Sequence, residues 1–183
     1  ALEGQTVCRI ARGERTPLYD IPKHIFGPGK HNLSNLLAAT AAAVAVGVTP
    51  AAIVRAVRRF RLPAHRLEFV KNVGGIAYYD DSKATSVDAA RKALDSFPSR
   101  QIVALMGGQD KGMDFTPLFR ELTRRRNLKS LVFFGALGVK FGRLAGRFRL
   151  PHRRVDRVAD AVGVARQMSA PGDVVLLTPG GTS

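Results

Sequence analysis

The sequence predicts an α/β fold, with a mainly parallel sheet covered by helices on both faces. Three observations carry that prediction. From residue 67 onward, short runs of strand formers alternate with helix-length segments. The runs "QIVALM" (101–106), "SLVFFG" (130–135) and "VVLLT" (174–178) are apolar almost throughout, as strands buried on both faces must be. Cap and turn residues punctuate the boundaries between segments.

Taken in order, "QTVCRI" (5–10) and "TPLYDI" (16–21) are predicted as short strands turned by "ARGER". Residues 31 to 46 form a helix that stops at Gly47. Its alanine-rich run "LLAATAAAVAVGV" (36–48) is expected to be buried, being shorter than the roughly 20 residues a membrane span needs. Thr49 and Pro50 supply the cap and first-turn proline of a second helix to about Phe60. Two strands and two helices make an incomplete domain, and "RLPAHR" is read as a connector. "LEFVK" and "IAYYD" then form a hairpin turned by "NVGG". Ser86 caps the helix "VDAARKALDSF", and Thr116 with Pro117 opens the helix "PLFRELTRRR". A helix from about Leu137 to Gly146, a basic connector, a helix from about Arg157 to Met168 and the turn "APGD" lead to the last strand.

In open parallel sheets, ligands bind beyond the carboxyl ends of the strands, near a reversal of strand order. The loops "DDSKATS", "GGQDKGMD" (107–114) and "PGGTS" (179–183) each follow a predicted strand. They therefore emerge from one edge and are expected to line one cleft. Lys83 and Lys111 are donors for carboxylate or phosphate, and Thr85 and Ser183 add neutral hydrogen bonds, which together describe an anion pocket. Asp81 is expected to accept hydrogen bonds from hydroxyls or an amine, or to steer a lysine, and Asp80 to end its strand. Arg66, at the joint between the two parts of the chain, is read either as a salt-bridge partner of Glu68 or as a guanidinium reaching phosphate across an interdomain cleft. His24, His31, His65 and His152 lie in separate segments without ligand spacing, so no metal site is expected. Neither a GxGxxG before a helix nor a GxxxxGK[ST] phosphate loop occurs in the 183 residues.

The net charge of +15 raises nucleic acid as a partner. The basic residues are concentrated in three separated segments, "RAVRRFR" (55–61), "RELTRRR" (120–126) and "GRLAGRFRLPHRR" (142–154), the first two read as solvated helix faces. No familiar nucleic-acid motif accompanies them, and a basic surface would equally attract a polyphosphate substrate. The lone Cys8 permits no internal disulfide, which fits a reducing compartment, the cytoplasm by default. No basic-then-apolar leader opens the chain at Ala1.

The segments "GKHNLSNLLAA", "PAHRLE", "DDSKATS", "GGQDKGMDF" and "VVLLTPGGTS" occur in the order and spacing of the C-terminal portion of the D-glutamate-adding Mur ligases. The chain resembles that family over essentially its whole length. The resemblance implies residues 1–62 as the tail of a central ATPase domain and residues 63–183 as a Rossmann-like, amino-acid-binding domain. It implies contacts from Lys83, Thr85, Lys111 and Ser183 to the carboxylates of D-glutamate. Asp81 would then serve the ribose of ATP, Arg66 its phosphates, and Asn35 its adenine. ATP and Mg2+ are the implied cofactors, with the magnesium ligands expected mainly outside this chain. UDP-N-acetylmuramoyl-L-alanine is the implied second substrate, in a cytoplasmic monomer.

The sequence departs from the family pattern at Asp80 and Ser86, where Asn is usual. It departs again at "TPGGTS", where Gly180 and Gly181 replace alanine and cysteine and are expected to loosen the loop carrying Ser183. The UDP-nucleotide domain and the phosphate loop are missing, so the chain is expected to be a fragment without turnover of its own. Two other readings stay open: an anion-binding or regulatory module that has lost catalysis, and a basic nucleic-acid binder.

Overall fold

The computed structural model describes residues 2–21 and 31–181, without the side chains of Glu3 and His31. Ser183 and His24 lie outside the described residues. The chain divides into two compact units, Ala1–Pro63 and Ala64–Ser183.

In the first unit, β1 (Leu2–Glu3), β2 (Thr6–Ala11) and β3 (Glu14–Asp20) form an antiparallel sheet in that order. The two-residue turn Arg12–Gly13 has φ of 51° and 83° at its two positions, the left-handed pair that a tight hairpin requires. Helices α1 (His31–Ala45) and α2 (Pro50–Arg59) follow. Thr49 caps α2 by accepting a hydrogen bond from the Ala52 N–H at 3.4 Å. Val7, Tyr19, Ile21, Ile53 and Val57 form the buried core of this unit, and the Tyr19 hydroxyl meets the Thr40 hydroxyl at 2.5 Å. The alanine-rich run is not buried as expected: Ala38, Ala39, Ala41 and Ala42 are exposed on α1. Alanine is the strongest helix former, so its abundance signals helix propensity as much as burial.

The second unit is built on a six-stranded sheet of order β4-β5-β9-β6-β7-β8. β4 (Glu68–Val73) and β5 (Ile76–Asp80) form the expected antiparallel hairpin around Gly74 and Gly75, both with positive φ. From β5 onward every neighbouring pair is parallel: β9 (Val174–Gly180) lies between β5 and β6 (Ile102–Gly107), followed by β7 (Leu128–Phe134) and β8 (His152–Arg154). The helices are α3 (Val87–Asp95), α4 (Thr116–Leu122), α5 (Gly135–Arg147) and α6 (Val158–Met168).

Side-chain alternation along the strands sorts the helices into two layers. Ile102, Ala104 and Met106 pack with Ala90, Leu94, Leu118, Phe119 and Phe141 of α3, α4 and α5, whereas Val103 and Leu105 pack with Ala161 and Ala165 of α6. Such alternation is the period-two geometry of a strand buried on both faces.

Three local expectations are corrected. Helix α4 ends at Leu122, so Arg124, Arg125 and Arg126 lie beyond it rather than on a helix face. Its start is served by Asp114, whose carboxylate accepts from the Thr116 N–H at 2.8 Å, so Thr116 is itself the first helical residue. The basic connector after α5 contains the edge strand β8, whose arginines made it read as a loop; an edge strand needs only one neighbour and tolerates charge.

Candidate functional site

The carboxyl ends of β5, β9 and β6 are neighbours, and β9 is the strand that reverses the order by returning between two earlier ones. The loop after β5 is stitched to β9 at both ends. The Asp81 N–H donates to the Leu177 carbonyl at 2.8 Å, and the Gly180 N–H donates to the Ala84 carbonyl at 2.7 Å. Within the loop the Ala84 N–H reaches the Asp81 carbonyl at 2.8 Å, a turn that leaves Lys83 and Thr85 exposed. The Ser86 hydroxyl then accepts from the Ala89 N–H at 3.2 Å and starts α3, as expected.

The loop after β6 holds Lys111 at its tip. Asp110 accepts from the Gly112 N–H at 2.9 Å, which folds the backbone tightly around the exposed lysine. At the base of this loop the Gly108 carbonyl accepts from the Leu137 N–H at 2.9 Å. The loop that Gly180 and Gly181 were expected to loosen, with Ser183, lies outside the described residues, but the two glycines themselves are placed at the end of β9. Both are buried, and Gly180, with φ of 73°, is still paired with Gly107. A Cβ on Gly181 would stand 2.8 Å from the Gly107 carbonyl oxygen and 2.9 Å from that of Gln109. These glycines therefore serve close approach between the loop after β6 and the end of β9.

Asp81 sits at the end of β5 and is 8% exposed. One carboxylate oxygen accepts from the Leu67 N–H at 3.1 Å. Burial pushes the carboxyl up to about 6, opposed by the Leu67 N–H and the Arg66 guanidinium and assisted by the charge on Asp80. A buried carboxylate with spare lone pairs suits hydroxyl donors such as those of a ribose. Arg66 is exposed, and no ion pair joins it to Glu68 among the described residues. Glu68 instead accepts from the His65 N–H at 2.7 Å. Asn35 lies exposed on α1 of the first unit.

The structure brings together His65, Glu68 and Asp80, which were not grouped from the sequence. His65 Nδ1 lies 2.7 Å from Asp80 and 3.9 Å from Glu68, and the other Asp80 oxygen accepts from the Ser82 N–H at 2.8 Å. Burial works against the Asp80 charge, yet these hydrogen bonds hold its carboxyl below the ordinary carboxylate range. The three ligand atoms lie within 4.8 Å of one another, the one such group among the described residues. An imidazole nitrogen is a poor magnesium ligand and the oxygens are already engaged, so the cluster does not fit Mg2+. A sequence signal existed only in part: an acid two residues before Ser82 is the pattern of a side chain closing its own turn.

Elsewhere, a cavity of about 440 Å3 lined by Asp95, Gln101, Arg124, Arg125, Arg126 and Asn127 lies at the opposite edge, before the amino ends of β6 and β7. Among the described residues no helix is long and apolar enough to cross a membrane.

Residues 65–181 match the family described as "Mur ligase, glutamate ligase domain". Among similar proteins, the UDP-N-acetylmuramoylalanine--D-glutamate ligase of Solibacter usitatus is 46% identical over 151 residues, covering 82% of this chain and 33% of its own length. That of Desulfosudis oleivorans is 42% identical over 180 residues, 98% of this chain and 38% of its own. The chain thus spans 33–38% of the length of these relatives. The fold is shared with a pseudomurein peptide ligase type C from Methanothermus fervidus, with a TM-score of 0.69 at 14% identity over 96% of this chain and 37% of that one. It is shared too with MurF from Acinetobacter baumannii, with a TM-score of 0.66 at 23% identity over 84% and 35%. With its parallel sheet, its stitched loops and this match over most of the second unit, the chain belongs to the Mur ligase family and contains its glutamate ligase domain.

Proposed function

We propose that the chain is the amino-acid-binding part of an ATP-dependent ligase that joins D-glutamate to UDP-N-acetylmuramoyl-L-alanine in peptidoglycan synthesis. The observation that supports this most is the placement of two exposed lysines, Lys83 and Lys111, on loops from the same sheet edge in a chain 42–46% identical to ligases of that name. Lys83 and Lys111 would receive the D-glutamate carboxylates, with Thr85 and Ser183 donating neutral hydrogen bonds. Asp81 would accept from the ribose hydroxyls of ATP, Arg66 would face its phosphates, and Asn35 would lie near the adenine.

The alanine carboxylate is activated as an acyl phosphate at the expense of ATP. The D-glutamate amine then attacks, and the tetrahedral intermediate collapses to amide and phosphate. This chain's residues contribute position rather than covalent chemistry. Holding the amine beside the acyl phosphate removes entropic cost, up to roughly 7–11 kcal/mol in ideal cases. The ligands of Mg2+ would come mainly from parts of the protein outside this chain. Residues 1–62 would be the tail of the central ATP-binding domain, and the complete protein a cytoplasmic monomer without specific nucleic-acid or membrane contacts.

The test is phosphate release from ATP by the complete polypeptide carrying this sequence, with both substrates present. Release that requires D-glutamate, and none from the 183 residues alone, is the expected result. Equal release with and without D-glutamate would overturn the assignment.

A further inference from the structure

The loop that presents Lys111 is held by a residue outside every motif in the sequence. Lys140 lies on α5, and its ammonium donates to both carboxylate oxygens of Asp110, at 3.1 and 3.3 Å, and to the Met113 carbonyl at 2.8 Å. It also stands 5.9 Å from the centre of the Phe115 ring. An ammonium has three N–H donors, and these contacts occupy them on both flanks of Lys111. One turn earlier on the same helix, the Leu137 N–H holds the base of the loop through Gly108. Helix α5 is thus a platform fixed to the loop at its base and near its tip.

The arrangement also has an electrostatic side. Asp110 is adjacent to Lys111 in sequence, and a free aspartate there would cancel the lysine's charge and repel an incoming carboxylate. The hydrogen bonds it accepts from Lys140 and from the Gly112 N–H hold the Asp110 carboxyl below the ordinary range, favouring its charged form. Lys140 supplies the counter-charge from behind the loop.

We propose that Lys140 is a positioning residue for Lys111: it fixes the loop tip and occupies Asp110, leaving the Lys111 charge available to a substrate carboxylate. Lys140 acts in this way only if Lys111 meets D-glutamate, as proposed above.

The test is the D-glutamate dependence of the ligase reaction in the complete polypeptide carrying this sequence, at saturating ATP and UDP-N-acetylmuramoyl-L-alanine. Lys111→Ala is the control and should raise the D-glutamate KM by about tenfold or more. Lys140→Met should raise the same KM about three- to tenfold with kcat changed less than about twofold, and Lys140→Arg should restore most of it. Adding Asp110→Asn to Lys140→Met should bring KM back toward the parent value, because the competing charge is gone. A merely structural lysine would instead lower the melting temperature and leave KM alone, and the double variant would be no better than the single one. Either of those results overturns the proposal. If Lys111→Ala leaves KM unchanged, the D-glutamate assignment of this loop fails first. If Lys111→Ala is impaired and Lys140→Met is not, only the role of Lys140 fails.

Discussion

Asp81 shows how far a residue's chemistry departs from what its letter suggests. The sequence marks it as a polar residue in a polar loop, but the fold buries it, and burial raises its carboxyl pKa to about 6 from an ordinary value of 3.8. The folded domain therefore binds this proton more tightly than the unfolded chain does. The stability gained is full below the ordinary value and is lost as pH rises through about 6. Asp81→Asn keeps an acceptor for the Leu67 N–H and removes the charge. Its melting temperature should exceed that of the parent protein by a margin that grows from pH 4 to pH 7, measured by thermal unfolding across that range. Nucleotide affinity should fall in the same variant if Asp81 serves the ribose. Lys83, Thr85 and Lys111 were legible as candidates because they stand in matched loops that follow strands of one sheet, where a single exposed lysine would have meant little. Lys140 and the His65–Asp80 contact were not, because partners 30 and 15 residues apart meet only once the sheet has set their spacing.

At the scale of elements, apolar runs and caps located most of the second unit, and the failures share a cause. Past the end of helix α4 the Arg124 and Arg125 N–H groups donate only three residues back, to the carbonyls of Glu121 at 3.0 Å and Leu122 at 3.2 Å, and the Arg125 side chain reaches Asp95 of α3 at 2.5 Å, a tertiary contact that propensity cannot anticipate. Strand β8 is short and basic, and only its pairing with β7 makes it a strand. The end of β6 is a close junction with β7. A Cβ at Gly107 would lie 2.2 Å from the Phe134 carbonyl oxygen, a backbone atom that cannot rotate away. Gly107→Ala should part β6 from β7 at the mouth of the loop, costing about 2 kcal/mol or more. Chemical denaturation would measure that loss, and an unchanged midpoint would show that the junction yields.

Over the whole molecule, the charge of +15 is carried by separate elements of both units. Arg55, Arg58 and Arg59 belong to α2 of the first unit, Arg124 and Arg126 follow α4, and Arg153 and Arg154 belong to edge strand β8. Duplex DNA should accordingly bind weakly, without sequence preference, and be released by about 0.2 M salt, as fluorescence anisotropy can measure. Sequence-selective binding that survives such salt would revive the nucleic-acid reading. The sheet order has a consequence in time as well as in space. β9 is the last of the described strands to leave a ribosome, yet it takes the place between β5 and β6. Until it arrives, two inner strands present open edges, each a template for a wrong neighbour. The strand that completes the sheet also ends beside the proposed glutamate pocket, so the pocket's backbone closes only when synthesis of this region is nearly finished.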